Sequence, residues 1–297
     1  MKARERYSLI FKQSSGYMLT WIVSFGLIML MGRILSPYVS KIQSIPLITV
    51  VLNVSALLTV GLAVGIVAGG FRISHLANYS KRALLISLAA AAVFFILTAF
   101  LVRSKPDSTW LIMLNGMGLI IISFSVGELL SREVLHSGHL IPTVLVLALV
   151  DSWSVSKGLS GQIAHKVTEF ANKGGYSGTT PPPWSSFLLL RYPQIAAKEI
   201  YSFIGVGDLV IIAFFIGCIY RFKLPPVISL FALVGGAVLA VLVANTINKP
   251  IPALPVIATL FLLVNIRRLS MKKNDIVISA IVLAIIIIVI LFLSLKR

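Results

Sequence analysis

Acidic residues are the scarcest resource in this chain. Of 297 residues only nine are Asp or Glu, against 26 Lys or Arg, and charged residues together make up 12%. A soluble domain of this length needs a far larger polar surface, so a water-soluble globular fold is excluded. Cysteine occurs once, at Cys218, which rules out an internal disulfide. The four histidines (His75, His136, His139 and His165) form no HExxH pattern. His136 and His139 read as part of an interfacial loop, and neither a metal nor another cofactor is expected. The two-residue alternation of a transmembrane β-barrel is missing as well.

Apolar residues fill the chain instead. Hydrophobic residues reach 58%, the mean hydropathy is +1.00, and runs long enough to cross roughly 30 Å of hydrocarbon recur throughout. Nine spans are predicted, at about 17–36, 46–70, 82–102, 109–130, 139–156, 201–221, 226–247, 251–268 and 274–295. The chain therefore reads as an all-α, polytopic membrane protein, a single transmembrane domain over 1–297, set in the cell membrane or an endomembrane. Helices 1–4 fall within 1–136, and a further C-terminal helix within 274–297. The basic start MKARERYSLIFK precedes an apolar run that is long for a signal-peptide core, so it reads as a retained first helix.

A net charge of +17 invites a nucleic-acid reading. No basic helix interleaved with aromatics is present, however, and Lys and Arg collect in membrane-protein loops for topological reasons. Membrane lipid is the expected surroundings; nucleic acid is not an expected partner. Outside the longest loop, Lys and Arg divide fourteen to seven in favour of the side bearing the N-terminus. That bias places the N-terminus in the cytoplasm and the long loop outside.

The long loop runs over 157–200 and contains GGYSGTTPPPW, whose Gly and Pro predict irregular backbone. Before it, Leu159, Ile163, Val167 and Phe170 recur at helical spacing and predict a short amphipathic helix at the membrane surface. After it, SSFLLLRY (185–192) is compatible with extended chain or a helix start.

Two carboxylates lie well inside apolar runs: Asp151, in LIPTVLVLALVDSWSVSKG, and Asp208, in FIGVGDLVIIAFFIG. A lipid-facing carboxylate costs several kcal/mol, so intramembrane acids face a bundle interior or a water-filled cavity. Asp151 stands six residues before Lys157, and Asp208 seven after Tyr201. At helical rise both would lie about 9–11 Å below the same surface. Gly205 and Gly207 would let the helix backbones approach. Two such aspartates at contact distance share one proton, one acting as base toward water and the other as acid toward a carbonyl. Aspartic peptidases work this way, but paired intramembrane acids also carry protons or cations in transporters. The carboxylates alone leave both readings open.

A third element is NKPIPALPVIATLF (248–261), where Pro252 and Pro255 favour a broken or extended approach to the next span. That span enters from the same face as the two aspartates. Together GVGD (Gly205 to Asp208), the PAL triplet Pro252, Ala253 and Leu254, and the preceding Asp151 resemble the GxGD intramembrane aspartyl proteases of the presenilin and signal peptide peptidase type. The resemblance covers about 139–268, including the 157–200 loop. It implies a presenilin-like fold, Asp151 and Asp208 as catalytic residues, Gly205 and Gly207 as packing residues, and Pro252, Ala253 and Leu254 as the segment that shapes the site. It also implies a substrate: the transmembrane helix of another protein. Such a helix would be unwound and paired as a strand with FLLLR (187–191) or with the PAL backbone.

The chain departs from that family's pattern in two places. Val150 stands where a Tyr usually precedes the first aspartate, and the motifs fall on the fifth, sixth and eighth spans, not the sixth, seventh and ninth. Prepilin peptidases also use a GxGD aspartate but lack a PAL segment. A cation-coupled transporter and a helix-binding pseudoprotease complete the alternatives.

Overall fold

The computed structural model describes residues 80–105, 108–158, 183–193, 200–247 and 251–269, with scattered helical positions between 22 and 72, 161 and 169, and 276 and 288. The expected spans at 17–36, 46–70 and 274–295, the amphipathic segment at 159–170 and the GGYSGTTPPPW stretch lie largely outside these residues.

Among the described residues the chain is mostly helical, with one two-stranded sheet. Helix α1 spans Lys81–Ser104, α2 Thr109–Glu133 and α3 Leu140–Lys157; strands β1 (Leu189–Pro193) and β2 (Ile200–Gly205) come next; then come α4 (Val206–Arg221), α5 (Pro226–Ile247) and α6 (Ala253–Asn265). Among the described residues four stretches are long and apolar enough to cross a membrane: Lys81–Ser104, Thr109–Glu133, Ser137–Val155 and Pro226–Ala244. They are compatible with an integral membrane protein. Their outward faces agree: Ile86, Val93 and Leu97 of α1 are all more than half exposed. In water such a patch would drive association, whereas in a bilayer it is the ordinary lipid-facing surface.

The described chain divides into two compact units, Met1–Leu130 with Lys166–Gly217, and Ser131–His165 with Cys218–Arg297. In the first unit α1 opens on Ser80, whose hydroxyl accepts the Ala83 N–H at 3.1 Å and so satisfies one of the helix's orphan donors. Ala99 and Val102 of α1, Ile112 of α2 and Phe187 form a buried cluster. Farther along α2, a Cβ on Gly127 would stand 2.4 Å from the Ala213 Cβ of α4. Glycine is therefore required for that close approach.

In the second unit α5 packs on α6. Gly236 again permits the contact, because a Cβ there would fall 2.6 Å from the Ile257 Cα. A buried pair, Ser229 Oγ donating to Asn265 Oδ1 at 3.0 Å, joins the same helices at their far ends. Between α4 and α5 the chain turns on Lys223, which has φ 53°. The Leu224 N–H donates to Ile219 C=O at 2.9 Å and the Lys223 N–H to Tyr220 C=O at 3.4 Å. These are the two bonds of a Schellman cap, and the buried Leu224 and Ile219 supply its apolar contact. Pro226 then occupies the first position of α5, where its missing N–H costs nothing.

Candidate functional site

Asp151 lies on α3 within the second unit and is half-buried. Its Oδ2 accepts a hydrogen bond from the backbone N–H of Leu254 at 3.1 Å. The sequence explains why Leu254 has that N–H to give. Pro252 is the N-cap of α6, with φ −65° and ψ 121°, and provides no side-chain cap. Ala253 and Leu254 are the first two helical residues, and Pro255 has no N–H at all. A carboxylate from another helix fills the role a Ser or Asp would normally take, at the end of the helix where the dipole favours negative charge. The structure thus brings the first candidate aspartate onto the PAL triplet, whose Leu254 side chain is buried.

Asp208 belongs to the first unit, and its surroundings differ from the expectation. A continuous span was expected over 201–221, but Ile200–Gly205 is β-strand and the helix begins only at Val206. Asp208 is therefore in the first turn of α4, not seven residues into a helix, and a depth reckoned at helical rise from Tyr201 does not apply. The physical reason lies in composition: IYSFIG is rich in aromatic and β-branched side chains and has an antiparallel partner in LLRYP. Pairing satisfies backbone groups that an unpaired extended segment would leave orphaned.

The glycines divide. Gly205 is the last strand residue, paired with Leu189, and a Cβ on it would lie 3.3 Å from the Asp208 Oδ2. Its small size makes room for the carboxylate of its own motif. Among the described residues a Cβ on Gly207 would meet nothing within 4 Å. The FLLLR segment is also divided: Phe187 and Leu188 close a 3-10 helix, and only Leu189 onward is strand.

The ribbon itself is irregular. Leu190 pairs with Ile204 but Arg191 with Ser202, which leaves Phe203 as an extra residue in β2. Bulges of this kind bend a strand and re-aim the chain beyond it. Two polar residues beside the ribbon carry no motif in the sequence: Arg191, 2% exposed, and Asn115 of α2, 1% exposed. The available signal was a lone cation closing the apolar run FLLL.

His136 and His139 stack edge to face at 5.4 Å beside the start of α3, in the second unit.

No family model, curated protein or solved structure matches the chain.

Proposed function

We propose that the chain is an intramembrane aspartic endopeptidase of the GxGD type, with about nine transmembrane helices in a presenilin-like arrangement, cleaving the transmembrane helices of other membrane proteins. The observation that carries this reading is the Leu254 N–H to Asp151 Oδ2 hydrogen bond. It joins two motifs that are 103 residues apart in sequence and that the peptidase reading relates.

In this proposal Asp151 and Asp208 share one proton. The ionised carboxylate removes a proton from a water molecule as the water attacks the scissile carbonyl. The protonated one donates to the carbonyl oxygen, and the resulting gem-diol collapses with proton transfer to the leaving nitrogen. No metal or organic cofactor enters the scheme. The Leu254 N–H holds one lone pair of Asp151, which fixes the carboxylate's rotation and leaves its other oxygen for water.

The substrate is a helix whose peptide bonds are shielded until it unwinds. The β1–β2 ribbon supports strand addition as the way an unwound segment is held, because a two-stranded ribbon offers main-chain groups along its outer edges. The shortness of two helices supports it too. α4 has 16 residues and α6 has 13. At about 1.5 Å per residue both fall short of a 30 Å core, and non-helical residues precede each, Ile200–Gly205 before α4 and Ile251 and Pro252 before α6. The motif-bearing ends are those non-helical starts.

The test is cleavage of a single-span peptide by purified protein in lipid, with and without a transition-state analogue of aspartic peptidases. Peptide products that vanish with the analogue support the proposal. Ion flux across vesicles without peptide products would support a transporter instead.

A further inference from the structure

Arg191 is a large, fully ionised side chain, 2% exposed, on a strand beside the candidate site. Burying a guanidinium costs far more than burying any neighbour in LLRYP, unless its charge is met by well-placed acceptors. Its Nη2 donates to Asn115 Oδ1 at 3.3 Å. Asn115 Nδ2 in turn donates to Thr98 Oγ1 at 3.3 Å and to the Phe95 carbonyl at 3.5 Å. The Thr98 hydroxyl donates to the Phe94 and Phe95 carbonyls, both at 2.9 Å. The chain of bonds runs from β1 through α2 to the backbone of α1. The side chains of Arg191, Asn115 and Thr98 are all nearly inaccessible to water.

Aromatic contacts run parallel to it. The Arg191 guanidinium lies 4.8 Å over the Phe187 ring, Phe187 packs on Trp184 at 5.7 Å, and Trp184 meets Phe100 of α1 edge to face at 5.0 Å. Arg103 sits 4.8 Å over the Trp184 ring. The segment leading into β1 is thus fastened to α1 and α2 by one buried cation and two rings.

The strand register shows what this fastening controls. Arg191 pairs with Ser202 immediately beside the bulge at Phe203, and two residues earlier Leu189 pairs with Gly205, over which the Asp208 carboxylate rests. A slip of β2 by one residue would move Gly205 off Leu189 and turn the start of α4. We infer that Arg191 is a positioning residue: its bond to Asn115 anchors β1, and the anchored ribbon sets the orientation in which β2 delivers Asp208. A lysine supplies the charge but not the planar fork that reaches Asn115 while lying over Phe187. The kinetic consequence rests on the peptidase reading; the anchoring does not.

The experiment combines hydrogen exchange with kinetics on the full chain in lipid, for wild type, Arg191→Met, Arg191→Lys and the double variant R191M/N115L. The double variant removes both partners of the Arg191–Asn115 bond together, so that neither is left buried opposite an absent partner. The expected result is exchange of the amides in 189–193 and 200–205 roughly tenfold to a hundredfold faster in R191M and in the double variant. Amides of α5 and α6 should be unchanged and R191K intermediate. On a transmembrane peptide, kcat should fall about tenfold or more with KM little changed, and cleavage positions should spread, because the acid is present but misaimed. Unaltered ribbon exchange in both R191M and the double variant would overturn the inference. So would faster exchange spread evenly over all helices, which marks a merely structural residue. If wild type cleaves nothing while the ribbon still loosens, the peptidase reading and the kinetic half fail, and the anchoring stands.

Discussion

Asp151 and Asp208 are chemically identical and differently held. Asp151 is fixed from outside its own helix, by the Leu254 N–H, whereas Asp208 rests at the start of its own helix against the strand residue Gly205. The second arrangement makes Gly205 the more sensitive glycine of the GVGD motif. An alanine there places a methyl 3.3 Å from Asp208 Oδ2, so the carboxylate has to shift by a few tenths of an ångström. Gly205→Ala is expected to slow peptide cleavage roughly tenfold, because a reacting group moved by a few tenths of an ångström loses part of what a full ångström would cost. Gly207→Ala has open space and stands in the first turn of a helix, where alanine is the better former. It should change the rate by no more than about twofold. Matched rates for the two variants would show that Gly205 does not shelter the carboxylate.

At the scale of elements the same contrast between filled and open space recurs, and it yields predictions about stability. Gly236→Ala drives a methyl into the Ile257 backbone, which cannot swing aside as a side chain can. Resistance to unfolding should fall by about 1–3 kcal/mol. Gly235→Ala, one residue earlier and facing open space, should be neutral or gain up to about 1 kcal/mol through helix propensity. A reversible denaturant titration in mixed micelles measures both. Lys223→Gly acts in the opposite direction. The Schellman cap after α4 holds Lys223 at φ 53°, a conformation that costs an L-residue with a Cβ about 1 kcal/mol. Glycine there should recover most of that, and a loss of stability would show that the Lys223 side chain matters more than its backbone.

Much of this element structure is legible in the sequence, and the exceptions have physical causes. Helices α1, α2, α3 and α5 lie within a few residues of their apolar runs, because a bilayer-length run has one low-cost conformation. The start of α6 at PAL agrees with the break that Pro252 and Pro255 impose. The strand at Ile200–Gly205 was not legible: a short apolar run of aromatic and β-branched residues reads equally as buried strand or helix, and no turn signal in the sequence points to its partner Leu189–Pro193. Arg191 stayed hidden for a related reason. In sequence it resembles a charge at a span's edge, and only its long-range partner Asn115, 76 residues away, reveals it as buried.

For the whole molecule, low polarity and, among the described residues, four helices long and apolar enough to cross a membrane are compatible with a membrane protein, and α4 and α6 are the shorter helices. A chain assembled only to pack in lipid has no need of one half-buried acid bonded to the start of another helix and a second in the first turn of its own. The central claim is that these acids do chemistry, against the simpler possibility that Asp151 is only a cap for α6. The substitution Asp151→Asn separates the two. Asparagine keeps an oxygen to accept the Leu254 N–H, and so keeps the cap, but it cannot trade a proton with water. The deciding measurement is cleavage of a single-span transmembrane peptide in lipid by wild type, D151N and D208N, with the folded state of each checked by its unfolding midpoint. Both variants are predicted to hold the wild-type midpoint within a few degrees and to lose cleavage by at least about a hundredfold. Cleavage by folded D151N at the wild-type rate would contradict the claim.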